Sequence, residues 1–540
     1  MRLIHGLHFD NIRGDIYGGL TAAVVALPLA LAFGVASGAG PLAGLYGAIF
    51  VGFFASLFGG TPAQVSGPTG PMTVVMTGII IQFADRPAMA FTVVVLAGLF
   101  QILFGVIKIG RYINLMPFPV ISGFMSGIGV IIIILQLAPL VGGVSPKASI
   151  PNVIAALPNA FSHAAFDATA VGVGALAIVY LWPARLQRIV PAPLVALLAG
   201  ALAAYFLLPG APILGDIPTG LPGMITPVFD VDRLPDMITG ALVLALLGTI
   251  DSLLTSLIAD SVTHSHHDSD RELIGQGIGN AIAGLFGAIP GAGATMRTVV
   301  NVRAGGRTPI SGALHALVLL AIVLGLAALA KYIPHAVLAG VLLKVGIDII
   351  DWGYIRRSWH APRAGVLFMI IVLLLTVFVD LITAVGVGIV LASLLFVKRM
   401  ADLQLDNIRM ITNGSDGASL TAEEAEVLDR AEGRVVLYEL GGPFSFGVAR
   451  GMARLLGAAD HYGALVLDLE KVPMIDTSAG LALQDVVQQA LALGKPVFVV
   501  DMCPRVRETL TKLGVTRLLS DERTSGTRLQ ALKSAAELTA

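Results

Sequence analysis

Charge is scarce in this sequence. Of 540 residues, 13% are Asp, Glu, Lys or Arg and 56% are hydrophobic; a soluble chain carries about twice that share of charge. So little polar surface cannot hold a chain of this length in water, which excludes a string of soluble domains. Cysteine is nearly absent: Cys503 alone excludes an internal disulfide framework or a Cys-based zinc site. Neither sign of charge dominates, the net being -1, so the chain has no nucleic-acid footprint. The 62 Gly and 29 Pro lie mostly inside apolar stretches, which excludes a collagen-like or disordered chain. No nucleophile–base pair is visible in the apolar part, so the chain does not read as an enzyme.

The charges present are unevenly placed. Residues 401–540 hold 33 of them, about 24% of that stretch against 9% before it. The chain divides into a transmembrane body over 1–400, a linker over 401–430 and a soluble domain over 431–540. The polar first ten residues do not read as a cleavable signal. Fourteen apolar runs follow, near 17–36, 41–58, 69–82, 89–109, 117–142, 167–183, 190–208, 237–260, 274–289, 294–303, 310–331, 335–351, 366–383 and 385–399. With the N-terminus inside, 14 Lys and Arg near span ends fall inside and 4 (Arg86, Lys147, Arg233, Lys331) outside. That asymmetry predicts cytoplasmic termini.

Two glycine clusters interrupt this pattern at matching positions. S-G-P-T-G-P-M-T (66–73) opens the third span, and P-G-A-G-A-T-M-R-T (290–298) opens the tenth. Each follows a pair of apolar spans, so the halves read as repeats of seven spans, inverted because seven is odd. Paired Gly/Pro-broken spans point to a binding site at mid-membrane. Each half-helix N-terminus offers unpaired N–H groups and partial positive charge, and two facing each other make an anion site. Thr69 and Thr295 add hydroxyls at the two starts.

Asp251 is the sharpest single residue, an acid near the middle of the eighth span. A carboxylate at this depth is costly and functional by default. Gly248 and Thr255 share its helix face. A carboxylate, a hydroxyl and free carbonyls suit sodium; the same carboxylate could carry a proton. Arg297, just inside the tenth span, either lends positive potential to the anion path or snorkels to the cytoplasm. Lys344, Asp380 and Asp260 read as structural or interfacial, and His264, His266, His267 and Asp268 as a solvated loop without zinc spacing. The tail alternates strands (435–440, 464–469, 496–501) with helices (446–456, 479–493, 505–513, 527–538), a small α/β domain. Asp476, Thr477 and Ser478 stand at a helix start, either as an N-cap or as a regulatory phosphorylation site.

Taken together, these strings resemble the SulP family of anion transporters with a C-terminal STAS domain. The carriers are the run from Arg13 to Gly34, G-P-T-G-P-M-T at 67–73, T-I-D-S-L-L-T-S at 249–256, E-L-I-G-Q-G-I-G-N at 272–280 and the 290–298 cluster. The strings look closest to the bicarbonate-transporting branch of that family. The resemblance implies an α-helical polytopic protein of 14 spans in 7+7 inverted repeats, divided into core and gate helices, with a cytoplasmic α/β STAS domain. It implies a sodium-coupled bicarbonate symporter of the bacterial inner membrane, surrounded by lipid, moving by an elevator-like shift and dimeric with a STAS contribution. Sodium would be held by Asp251, Thr255, Gly293 and Thr295. Bicarbonate would lie between Thr69, Ala294 and Thr295. The turn D-T-S-A-G-L at 476–481 is similar to the family's D-S-S-G-L-type turn and puts Ser478 at the phosphoserine position of related bacterial regulators, with Ala479 where glycine is usual, which weighs against phosphorylation. Proton-coupled uptake of sulfate or dicarboxylate is the alternative, and a channel or membrane sensor a more distant one.

Overall fold

The computed structural model describes residues 4–110, 117–146, 149–187, 190–215, 220, 222–379, 381–416, 420–446, 451 and 462–540. Arg111, Lys147, Arg188, Asp380 and nearly all of the expected helix 446–456 lie outside the described residues. The chain forms two compact units, residues 1–389 and 390–540.

In the first unit every predicted apolar run is a helix. The first half holds α1 (Ile12–Ala36), α2 (Pro41–Phe58), β1 (Ser66–Gly67), α3 (Gly70–Gln82), α4 (Pro87–Val106), α5 (Phe118–Leu140), α6 (Ile150–Ser162), α7 (Phe166–Leu181), α8 (Ala184–Gln187) and α9 (Ala192–Phe206). The second half holds α10 (Leu234–Thr263), α11 (Ser269–Leu285), β2 (Ala292–Gly293), α12 (Thr295–Arg303), α13 (Pro309–Ala330), α14 (His335–Ile349), α15 (Trp352–Arg357), α16 (Arg363–Phe378) and α17 (Leu381–Leu405), the last reaching into the second unit. Among the described residues, five helices are long and apolar enough to cross a membrane. The pair α6 and α7, bent by 115°, makes a sixth candidate, and the shorter apolar helices include α3, α9 and α16. The sequence reading had not anticipated α6.

The packing repeats itself with the halves exchanged. Helix α1 packs on α13 as α10 packs on α4; α2 packs on α13 as α11 packs on α4; α1 meets α12 as α10 meets α3; and α14 meets α7 as α5 meets α16. Such reciprocity is the contact signature of an inverted repeat. Glycine permits the closest crossings: a Cβ on Gly98 of α4 would lie 2.5 Å from Gly277 O of α11, and one on Gly277 would lie 2.5 Å from Gly98 O.

The second unit is a four-stranded sheet in the order β3 (Ile408–Ile411), β4 (Val435–Gly441), β5 (Ala464–Lys471), β6 (Val497–Val500). β3 is antiparallel to β4, and the others are parallel. Alternate residues face opposite sides. Val436, Tyr438, Leu465 and Leu467 pack in one core with Leu483 and Val487, whereas Val435, Leu437 and Val466 pack in the other with Leu428 and Leu532. The segment 401–430, expected as a linker, carries β3 and the helix Ala422–Arg430. Both are short, and their apolar faces become visible only against the sheet.

Candidate functional site

The two glycine clusters meet. β1 and β2 pair antiparallel, Ser66 opposite Gly293 and Gly67 opposite Ala292, so α3 and α12 begin from one shared crossing. Thr69 is the N-cap of α3 and Ala294 the N-cap of α12. Ala294 N–H is taken by Val65 O at 2.9 Å. The donors left over at α12 are therefore the first-turn N–H groups of Thr295, Met296 and Arg297, which have no intrahelical acceptor. At α3, Pro71 has no N–H, which leaves Thr69, Gly70 and Met72.

Asp251 faces this crossing from α10. It is 8% exposed, and Thr69 is 9% exposed. The Thr69 hydroxyl faces the carboxylate without closing a hydrogen bond. Asp251 Oδ2 and Thr69 Oγ1 both lack a partner among the described residues. One turn along α10, Thr255 Oγ1 donates to Gly293 O at 2.9 Å and lies 2.8 Å from Thr295 Oγ1. The oxygens of Thr255, Gly293 and Thr295 thus cluster one helical turn from a carboxylate oxygen with no partner. An oxygen-only donor set with one negative charge fits a small hard cation.

Arg297 does not snorkel. It is 1% exposed, and its Nη2 donates to Pro68 O at 2.9 Å, across to the other half's crossover. Its Nη1 has no partner among the described residues. The guanidinium therefore lies behind the α3 start, where it adds positive charge to the two helix ends.

A polar scaffold that the sequence reading missed holds the crossing in place. Glu272 Oε2 accepts Gly60 N–H and Thr61 N–H, both at 2.9 Å; its Oε1 accepts Gln64 Nε2 and Gln276 Nε2, both at 2.8 Å. Gln276 also donates to Ser66 Oγ at 2.6 Å. Ser256 of α10 donates to Gln64 Oε1 at 3.0 Å, and Ser252 Oγ accepts Gly293 N–H at 3.0 Å. Asn280 brackets the Gly291 peptide, accepting its N–H at 2.8 Å and donating to its carbonyl at 2.9 Å. A signal was present: Glu272, Gln276 and Asn280 recur every four residues, a polar stripe on one face of an apolar helix.

A cavity of about 420 Å³ opens between α1, α3, α5 and α14, with Ser37, Thr77, Gln136 and His335 among its lining residues. A smaller hollow beside it is lined by Phe33, Thr73 and Thr77. Thr73 lies one turn from Thr69 on α3.

Other residues singled out from the sequence have local partners. Lys344 pairs with Asp348. His267 Nδ1 lies 2.7 Å from Asp260 Oδ2, and no group of three or more potential metal ligands exists among the described residues. Asp476 is an N-cap, accepting Ala479 N–H at 2.9 Å, and Ser478 is exposed in the first turn that follows.

Two discontinuous helices meeting end to end inside an inverted-repeat bundle define a secondary transporter, here carrying a small α/β domain at its C-terminal side. The chain belongs to the sulfate permease family, whose model matches residues 12–372, and a STAS domain matches residues 426–529. It is 48% identical over 542 residues to the bicarbonate transporter BicA of Synechocystis sp., covering 99% of this chain and 96% of the relative. A solved structure of the transmembrane domain of a cyanobacterium bicarbonate transporter BicA matches with TM-score 0.68 at 53% identity, over 71% of this chain and all of that one. The overall structure of SLC26A9 shares the fold, with TM-score 0.82 at 18% identity, over 98% of this chain and 90% of that one. The family and these relatives are transporters, not enzymes.

Proposed function

We propose that this protein is a sodium-coupled bicarbonate symporter of the bacterial inner membrane. The observation that carries the reading is the meeting of two half-helix N-termini beside Asp251, whose Oδ2 has no partner among the described residues. The helix ends and Arg297 favour an anion, and the Asp251 face favours a cation. Sodium binds Asp251, Thr255, Gly293 and Thr295. Bicarbonate sits between Thr69, Ala294 and Thr295, receiving N–H donors from the first turn of α12. The 48% identity to a bicarbonate transporter over nearly the full chain supports bicarbonate as the anion.

Both termini are cytoplasmic, the cavity beside α3 is the outer approach, and alternating access is an elevator-like shift of core helices against gate helices in a dimer. Residues 1–400 transport and residues 431–540 regulate or assemble, with Ser478 as the regulatory position. Proton-coupled uptake of sulfate or dicarboxylate is the second reading, because an unpaired buried carboxylate holds a proton as well as a sodium ion. Uptake of labelled bicarbonate and sulfate into proteoliposomes, with and without a sodium gradient, separates the two. Bicarbonate uptake that ignores sodium and follows a proton gradient would overturn the first reading.

A further inference from the structure

Gln101 lies in the last third of α4 and is fully buried. Its orientation is dictated by a neighbour. Asn280 accepts Gly291 N–H through Oδ1 and donates to Gly291 O through Nδ2, so its oxygen and nitrogen cannot be exchanged. The same Nδ2 donates to Gln101 Oε1 at 2.8 Å. The Gln101 amide nitrogen must then point away from Asn280, and there it has no hydrogen-bond partner among the described residues.

That nitrogen meets Gly248 of α10. A Cβ on Gly248 would lie 2.5 Å from Gln101 Nε2 and 3.2 Å from the Met72 methyl of α3. Gly248 shares its helix face with Asp251 and Thr255. Met72 stands one turn from Thr69. The amide therefore stands beside Gly248, which is one turn from Asp251, on the side where Met72, one turn from Thr69, also packs. Both of those residues also hold an unpartnered oxygen. Buried donors are nearly always satisfied, so one locked in orientation beside a binding crossing calls for an acceptor.

We propose that Gln101 is a further substrate-binding residue, donating its amide N–H to a small oxyanion held between the α3 and α12 starts. Residue 248 is glycine because any side chain would stand in front of that donor. The inference rests on the anion-site reading above.

The test uses the full-length protein and two variants. Gln101→Met keeps the volume and removes the donor; Gly248→Ala keeps Gln101 and crowds it. Thermal stabilisation is measured with sodium gluconate, and then with bicarbonate and with sulfate each added at fixed sodium. Both variants should keep the sodium response and bind the anion about 10- to 100-fold more weakly, the loss of one hydrogen bond to a charged group. Wild-type anion affinity in a well-folded Gln101→Met would overturn the proposal. A sodium response that falls in step with the anion response would also overturn it, since the amide would then serve Asp251. If the wild type responds to sulfate and not to bicarbonate, the bicarbonate reading fails, while sulfate still tests Gln101.

Discussion

Replacing Asp251 by Asn removes one charge and almost no volume. Asp251 Oδ2 has no partner among the described residues, so no protein hydrogen bond is lost at that atom. An uncompensated buried carboxylate is itself destabilising. The variant should therefore fold and, without sodium, be at least as thermally stable as the wild type. Its effect should fall on the cation. Breaking a buried charge pair costs about 3–5 kcal/mol, so sodium affinity should drop by roughly two to four orders of magnitude. Coupling between two ligands is reciprocal: if sodium raises anion affinity, the anion raises sodium affinity by the same factor. Asp251→Asn should thus lose sodium dependence and most bicarbonate uptake together. Thr255→Val deletes one hydroxyl among the clustered oxygens and should weaken sodium only about tenfold, near 1–1.5 kcal/mol. The assay is bicarbonate uptake into proteoliposomes across a sodium titration, paired with sodium-dependent thermal stabilisation. Unchanged sodium dependence in Asp251→Asn would refute the site. A wild type that answers a proton gradient and not sodium would make Asp251 a proton carrier.

Arg297→Met removes the donor to Pro68 O and the buried positive charge; anion affinity should fall about 10- to 100-fold, read as a rise in KM for uptake. Glu272→Gln places an amide NH2 against groups that are all donors; about 2–4 kcal/mol of stability should be lost, measured by thermal unfolding. In a Cys503→Ser background, Val144→Cys should react with an impermeant reagent added outside and Arg303→Cys should not; the reverse labelling would refute cytoplasmic termini. In the second unit, burial works to raise the Glu424 carboxyl, but hydrogen bonds and charge from Arg528 outweigh it and hold it below the usual range. Its contribution is therefore full above the unfolded value near 4.3 and lost as pH falls through the depressed folded value. Asp468 is pushed up by burial, with Arg528 opposing. Arg528→Met should strip Glu424 and Asp468 of this partner and cost about 3–5 kcal/mol at pH 7. The deficit should shrink as pH falls into the carboxylate range and both groups protonate, and limited proteolysis of the second unit would report it.

Several features follow from local chemistry and can be read along the chain. The apolar runs became helices because length and hydrophobicity are properties of a segment. The breaks at 66–73 and 290–298 were legible because Gly and Pro act on their own backbone. Asp251 stood out because an acid among apolar neighbours is visible without a fold. The repeat followed from the matching order of these features in both halves. Tertiary structure alone decided what they meet. Arg297 could lend charge or snorkel, and the choice went to the Pro68 carbonyl, 229 residues away. Glu272 has no meaning until Gly60, Thr61 and Gln64 arrive from the other half. Ala294 heads the tenth span in the sequence, but only the structure shows that its N–H is held by Val65 O, so that the N–H donors offered there are those of the next three residues. Strand β3 hid in a segment of linker-like composition because four residues carry too little periodicity without a partner edge. Gln101 shows the limit most plainly: a lone glutamine in an apolar helix becomes a directed donor only because Asn280, itself locked by the Gly291 peptide, takes its oxygen. Orientation of a buried polar group is set by its partners, and those partners lie far along the chain.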